Sequence, residues 1–115
     1  MAWMLTSITE EPTRSLDAWS VMEIPFDGPD RPRTRHFIGF RREGCVGQVS
    51  TAVEEFDPMT RRGRTRSGRV YELSGRPGLN ADAFATWGRF KHANRIPDER
   101  DVTDEVERLL TEGAK

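Results

Sequence analysis

Alternating apolar and polar residues predict three strands in the first half of the chain. The strands are expected over Trp19–Phe26, Arg33–Phe40 and Cys45–Phe56, because the apolar residues of each segment recur with a period of two. Pro25 is typical of an edge strand, since proline cannot donate a ladder hydrogen bond. Glycine and proline cluster between these segments and mark the turns. The strands are therefore expected to pair in order, antiparallel to one another.

The clearest turn lies in the stretch Phe56–Leu73, which reads F-D-P-M-T-R-R-G-R-T-R-S-G-R-V-Y-E-L. Asp57-Pro58 opens this turn, because proline presets φ at the second turn position and Asp can accept a hydrogen bond from the backbone two residues on. A fourth strand over Arg64–Leu73 is expected to follow it. The result is a hairpin with an arginine-rich second strand.

A helical period replaces the alternation beyond residue 78. Asn80 is predicted to cap a helix from Ala81 to about Ala93, whose apolar stripe includes Trp87. Asp101 or Thr103 can cap a second, short and acidic helix. The predicted fold class is α+β: a small four-stranded antiparallel meander sheet packed by one main C-terminal helix and a short acidic helix.

Residues 1–14 show no sustained period and are predicted to form a flexible arm, whereas residues 15–112 are predicted to form a single α+β domain. A chain of 115 residues buries about two thirds of the surface that its unfolded form exposes, which suffices for one modest core.

Cysteine usage and hydropathy predict the compartment. Cys45 is the only cysteine, which excludes an intramolecular disulfide and a cysteine-based zinc site and favours a reducing compartment. No apolar run reaches the roughly 18 residues of a membrane-spanning helix, and Met1–Thr9 lacks the basic and apolar regions of a signal peptide. The expected localisation is cytoplasmic, with no membrane partner.

Charge is unevenly distributed along the chain. The net charge is −1, but residues 1–30 hold one base and six acids, residues 31–76 hold eleven bases and five acids, and residues 77–115 hold six bases and eight acids. A basic middle between acidic flanks favours an anionic partner. The alternative is a basic sheet face covered by the chain's own acidic segments.

Five arginines of the hairpin are the candidate partner-binding residues: Arg61, Arg62, Arg64, Arg66 and Arg69. Their planar guanidinium groups match the oxygens of phosphates and carboxylates. Two readings stay open, since these arginines can bind a partner or pair internally with the acidic C-terminal helix. By strand alternation, Arg64 and Arg66 lie on one face and Arg69 on the other.

The remaining polar residues form no catalytic set. His36 and His92 lie on different elements without a third metal ligand, and Cys45 has no histidine partner nearby in sequence, although His36 could lie across a hairpin from it. Glu54 and Glu55 point to opposite strand faces, so at most one of them can join Asp57. We predict no catalytic residue, no cofactor and no metal site.

The hairpin stretch, W-G-R-F at 87–90 and R-D-V-T-D-E-V at 100–106 resemble a group of small uncharacterised proteins of bacteria and their prophages, over roughly residues 19–106. The resemblance implies no catalytic residue. It implies a context in which short single-domain proteins bind and block a host machine, as anti-CRISPR proteins do.

Three functional hypotheses follow. The first is a non-enzymatic interaction protein, monomeric or homodimeric, that presents Arg62, Arg64 and Arg66 to a protein partner such as a host nucleic-acid-handling complex. The second is direct nucleic-acid binding through the same arginines. The third is an enzyme using His36, Cys45 or Glu54, which requires those groups to converge in one pocket.

Overall fold

The chain folds as a curved β-sheet with two helices. The structure is a computed structural model that describes residues 3–113. Its elements are, in order, β1 (Met4–Leu5), β2 (Arg14–Ile24), β3 (Thr34–Arg41), β4 (Val46–Val49), β5 (Val53–Asp57), β6 (Arg62–Thr65), β7 (Val70–Leu73), α1 (Ala81–Ala93), β8 (Arg100–Asp101) and α2 (Thr103–Gly113).

The middle strands roll into a small open barrel, in which no ladder joins β4 to β5 among residues 3–113. Antiparallel pairs join β2 to β3, β3 to β4, β5 to β6 and β6 to β7, and β7 then pairs parallel with β2. Only residues 50–52 separate β4 from β5, so the two ends of this path are joined covalently. The Gln48 amide of β4 donates to the Tyr71 hydroxyl of β7 over 3.3 Å, across the barrel interior.

The predicted four-stranded antiparallel meander is wrong, because the described residues form a mixed sheet of eight strands. The expected strand Cys45–Phe56 is two strands, β4 and β5. The expected strand Arg64–Leu73 is likewise two strands, β6 and β7, joined by a turn in which Gly68 has φ +90°. Two short strands were also missed: β1 pairs parallel with β5, and β8 pairs antiparallel with the second half of β2. The α+β class and both helices are as predicted.

A single irregularity divides β2 into two halves. Ala18 has φ +46°, and the pairing with β3 shifts register between Asp17 and Ser20. The first half pairs with β7 through residues 14–16, and the second half pairs with β8 through residues 22–23. The same edge of β2 thus serves two neighbours.

Aromatic rings fill the barrel interior. Phe37 is fully buried and packs edge-on against Phe56 and Tyr71, with ring centroids 6.0 and 6.1 Å away. Trp3 stacks on Phe56 at 4.8 Å. Helix α2 covers the interior with one apolar face, as its spacing predicted; the buried residues of that face are Val106 and Leu110.

Helix α1 packs on the outer face of β3 and β4. Asn80 caps it as predicted, since its side chain accepts a hydrogen bond from the Ala83 amide over 2.9 Å. Trp87 packs with Ile38 of β3, and Gly47 of β4 allows the backbone of α1 to approach closely. The helix shields this face of the sheet.

The segment expected to be a flexible arm lies against the barrel from residue 3 onward. Ile8 is fully buried, and its backbone N–H donates to the Asp57 carboxylate over 2.7 Å. Asp57 also accepts from the Met59 amide at 2.9 Å, which confirms the turn predicted at Asp57-Pro58. Burial raises the pKa of Asp57, but these backbone hydrogen bonds outweigh it and hold the pKa below its ordinary value.

A buried carboxylate ties the second half of β2 to its neighbours. Glu23 lies 3.1 Å from the guanidinium of Arg35 on β3 and 3.1 Å from that of Arg100 on β8. Burial raises the pKa of Glu23, but the hydrogen bonds from both arginines outweigh it and lower the pKa overall. The charge of Glu23 is therefore paired on both sides.

His36 is buried in its neutral form. Its Nδ1 donates to the Ser50 carbonyl at 2.9 Å, because a carbonyl can only accept, and its Nε2 accepts from the Thr34 hydroxyl at 2.8 Å. Burial lowers the pKa of His36, and the Ser50 hydrogen bond offsets this only in part. The ring resists protonation in the folded state.

We expect stability to fall as the pH drops below the ordinary histidine pKa of about 6.5. The pKa of His36 is lower in the folded protein than in the unfolded chain, so the unfolded chain binds a proton first as the pH falls. The contribution of neutral His36 to stability is therefore fully present above the unfolded pKa and is lost progressively below it. Urea unfolding of the wild type at about pH 7 and pH 5.5 should show this loss. His36→Gln should remove most of the difference, whereas His92→Gln, at an exposed position on α1, should retain it. Equal wild-type stability at both pH values would contradict the assignment.

Gly63→Ala should destabilise the barrel, because a Cβ at this position would lie 2.5 Å from the Phe37 ring. We expect the free energy of unfolding to fall by about 1–3 kcal/mol. The matched control is Gly88→Ala on the exposed side of α1, where a Cβ meets no atom within 4 Å. It should raise stability by up to about 1 kcal/mol, since alanine favours helix. Urea denaturation measures both, and a stable Gly63→Ala protein would refute the close packing.

Candidate functional site

The hairpin arginines are mostly occupied by contacts within the chain. Arg61 has φ +63° and donates from Nε to the Leu73 carbonyl at 2.7 Å and from a terminal nitrogen to the Gly75 carbonyl. These bonds satisfy backbone groups that follow β7. Arg61 therefore stabilises the end of the hairpin.

Arg62 and Arg64 fasten the N-terminal segment to the outer face of β6. Arg62 donates to the Glu10 carbonyl at 2.7 Å and lies 3.5 Å from the Glu72 carboxylate. Arg64 lies 2.7 Å from the Glu55 carboxylate and pairs with that of Glu10. Their side chains are only 18% and 26% exposed. Both were expected to face a partner, and neither has a free guanidinium.

Arg66 forms a two-bond pair with Asp27, with distances of 2.9 and 3.0 Å. Hydrogen bonding to Arg66 lowers the pKa of Asp27 against the opposing effect of burial. Glu54 lies 3.6 Å from the Arg66 Nε. The acids that neutralise the hairpin thus come from β5, β7 and the segments on either side of β2, and not from α2.

Arg69 differs from the other four. It is exposed and forms no ion pair or side-chain hydrogen bond among residues 3–113. It immediately precedes β7 and shares the alternation of Tyr71 and Leu73, whose side chains are buried in the barrel interior. Arg69 itself lies between the turn at Gly68 and β7, where its backbone carbonyl accepts from the Thr65 amide at 2.9 Å.

Two further arginines form no ion pair among residues 3–113. Arg14 is the cross-strand neighbour of Tyr71, and Arg41 is that of Leu16, so both start from the interior face of their strands. The Arg41 guanidinium lies against the turn at Gly44, and a terminal nitrogen of Arg14 donates to the Thr13 carbonyl at 2.9 Å. We call Arg14, Arg41 and Arg69 the mouth arginines. They come from the adjacent strands β2 and β3 and from the start of β7.

The mouth arginines lack carboxylate partners. Among residues 3–113, no acid lies within 4 Å of their guanidinium groups. The Nε atoms of Arg14 and Arg41 are buried and have no acceptor within the described part of the chain. An unmade bond of a buried donor costs about 1–3 kcal/mol. The mouth therefore holds unsatisfied hydrogen-bond donors.

Nearby acids are engaged elsewhere. Glu43, in the turn after β3, accepts from the Ser15 backbone amide at 2.7 Å. Asp17 pairs with Arg42 at 2.7 Å, and that hydrogen bond lowers the pKa of Asp17. These contacts hold both carboxylates on the outer side of β2. The mouth keeps its positive charge.

Guanidinium groups without carboxylate partners, such as those of the mouth arginines, can bind a phosphate or a carboxylate with charge-assisted hydrogen bonds. The arrangement is suited to anion binding and contains no nucleophile with an adjacent base.

The residues of the enzyme hypothesis do not converge. His36 is buried near the start of β3, whereas Cys45 is exposed in the turn after it, so that roughly 16 Å of strand separates them. Glu54 is exposed and lies against Arg66. Within the described residues, no three His, Cys, Asp or Glu side chains lie close enough together to hold a metal ion.

Comparisons with known proteins add no relative. No protein-family model, no curated protein and no solved structure matches the chain. The resemblance to small prophage proteins stays a prediction. Neither α1 nor α2 is long and apolar enough to cross a membrane.

The sequence pattern had identified one mouth arginine of three. Arg14 fell in the expected arm and Arg41 in an expected turn, so neither was assigned to the same face as Arg69. The pairing of β7 with β2 places Arg14 opposite Tyr71, and that pairing links residues more than 50 positions apart. No local signal in the chain reports it.

Arg64→Gln should loosen the N-terminal segment, because it removes the pairs with Glu10 and Glu55. We expect the amide hydrogens of Thr6 and Ile8, which bond to β5, to exchange about two to five times faster. Arg69→Gln, which removes the same charge from an unpaired position, should leave these rates unchanged. Hydrogen exchange followed by NMR measures both. Unchanged exchange in Arg64→Gln would contradict the fastening role.

Proposed function

We propose that this protein is a non-enzymatic interaction protein whose mouth arginines bind an acidic surface of a nucleic-acid-handling complex in the cytoplasm. It would modulate that complex as short proteins of phages and mobile elements modulate host machinery, anti-CRISPR proteins among them. The observation that carries the proposal is that Arg14, Arg41 and Arg69 have no carboxylate partner among residues 3–113, and that the Nε atoms of Arg14 and Arg41 are buried without a protein acceptor there.

Physical chemistry favours an anionic partner at the mouth. Elsewhere in the hairpin, the guanidinium groups of Arg64 and Arg66 have carboxylates beside them, so their charge is neutralised within the chain. The mouth lacks such acids. A carboxylate or phosphate from a partner would complete the missing hydrogen bonds, and bonds to charged groups are worth about 1.5–3 kcal/mol each.

Direct binding of nucleic acid is the second candidate function. It is favoured by the absence of carboxylates beside the mouth arginines, because the phosphates of a nucleic-acid backbone can supply the missing anions. The two candidates differ in the molecule that supplies the anion. They therefore predict different results in the capture and oligonucleotide-binding experiments that follow.

The triple variant Arg14→Gln/Arg41→Gln/Arg69→Gln should lose partner binding. Tagged wild type would be used to capture proteins from a lysate of the host at low salt, after nuclease treatment, and the captured complex would be identified and titrated directly. We expect the variant to bind that complex at least about tenfold more weakly. The control Arg76→Gln/Arg89→Gln/Arg108→Gln removes the same charge from exposed positions outside the mouth and should bind normally.

Fluorescence anisotropy with labelled duplex and single-stranded oligonucleotides separates the second candidate. Direct binding predicts a salt dependence whose slope falls by about one for each arginine removed. If the partner is a protein, the complex should still be captured after nuclease treatment, and the oligonucleotides should bind only weakly. Equal partner binding by the triple variant and the wild type, with both folded by circular dichroism, would refute the mouth as the site.

A further inference from the structure

Three aromatic rings form a continuous stack from the core to the surface. Trp87 of α1 is 1% exposed and stacks on Phe90 with centroids 5.3 Å apart and an interplanar angle of 12°. Phe90 stacks in turn on Phe26, at 5.8 Å and 16°. Phe26 is 37% exposed. These offset, near-parallel geometries are those that aromatic rings prefer.

The terminal ring is held in place from several sides. Phe26 follows Pro25 directly after β2, and the Gly28 amide bonds to the Pro25 carbonyl at 3.3 Å in a tight turn. The buried His36 ring lies 5.8 Å from Phe26 at a tilt of 52°. One face of the Phe26 ring is covered by Phe90, so its exposed surface faces outward in a fixed orientation.

A cavity of about 600 Å³ lies beside this ring. The loop after β2 and the segment after α1 form its walls, with apolar surface from Phe26, Pro29, Ile96 and Pro97. Its size is in the range of small-molecule sites, which are lined by apolar groups with a few polar ones. The end of the aromatic stack is thus part of a concave surface.

Two arginines give the cavity its charge. Arg31 and Arg95 line it, are exposed, and form no ion pair among residues 3–113. A third, Arg33, is engaged by Asp98 at 2.7 Å and by Glu23. Arg95 has φ +52° just beyond α1, and its backbone amide bonds to the His92 carbonyl, which fixes its position.

We infer that this cavity binds a nucleobase that carries a phosphate. The base would stack on Phe26 and extend the row of rings, because every base has a flat π-face that stacks on aromatic side chains. The phosphate would bind Arg31 and Arg95. An aromatic amino-acid side chain would use the ring but leave both guanidinium groups without an anion.

The inference is independent of the proposed function. The cavity lies beyond Ile24, and the mouth lies at Arg14, so the two sites occupy opposite ends of β2. The same ligand chemistry has two sources, a free mononucleotide or a nucleotide within a single strand of nucleic acid. Both present one base face and an adjacent phosphate.

The test is a titration of the wild type, followed by NMR of the backbone amides, with AMP, UMP, adenosine, inorganic phosphate and a single-stranded pentanucleotide. AMP and UMP should shift amides of the loop after β2 and of residues 94–98. Adenosine and inorganic phosphate should each bind at least about tenfold more weakly than AMP. A pentanucleotide that binds at least about tenfold more tightly than AMP identifies single-stranded nucleic acid as the source, and equal binding identifies the free nucleotide.

Variants connect binding to the two features. Phe26→Leu keeps an apolar side chain without a ring and should weaken AMP at least about fivefold. Arg31→Gln/Arg95→Gln should remove the preference for AMP over adenosine. The controls are Leu79→Ala and Arg89→Gln/Arg108→Gln, at exposed positions outside the cavity, which should bind AMP normally.

Three results would overturn the inference. The first is the absence of amide shifts around the cavity at about 5 mM AMP or UMP, because a dissociation constant well above that concentration is too weak for a specific site. The second is wild-type affinity in a folded Phe26→Leu protein. The third is tighter binding of an acidic peptide containing tyrosine than of either nucleotide.

Discussion

Pairing of β2 on both edges is the constraint on which the rest of the structure depends. One edge carries β3, and the other carries β7 along its first half and β8 along its second half. The change of register at Ala18 separates these halves, as β-bulges redirect strands elsewhere. The first half completes the open barrel, and the second half leads through β8 into α2, which covers the interior. A regular β2 would offer one neighbour along its whole edge.

Local signals in the sequence predicted local structure well. The Asn80 cap, both helices and the Asp57-Pro58 turn are encoded by neighbouring residues, and all are confirmed. The turn at Gly68 was missed, and its consequence is nonlocal. Four meander strands would leave the last antiparallel to the first, whereas the turn at Gly68 reverses the chain so that β7 runs parallel to β2 and can pair with it. A pattern of period two reports which residues share a face, but not which distant edges meet.

The candidate site shows the same division. A run of arginines in the sequence shows where positive charge is concentrated along the chain. Whether that charge stays unpaired depends on which acidic side chains lie against it in the folded protein. Glu10 and Asp27 lie far from the hairpin in sequence, yet they neutralise Arg64 and Arg66. Arg14 and Arg41 stand apart from the run, yet they, like Arg69, have no carboxylate partner among residues 3–113. Counting charges along the chain could identify the basic region, but not the surface that remains basic after folding.

Unsatisfied groups at the mouth have an energetic meaning. Domains are stable by only about 5–15 kcal/mol, so a buried donor without an acceptor, such as the Nε atom of Arg14 or of Arg41, is costly. The chain can place carboxylates beside arginines, since it does so for Arg62, Arg64 and Arg66. Natural sequences break local rules mainly where function requires it. The missing acceptors at Arg14 and Arg41 are therefore the feature on which the proposed binding of an anion rests.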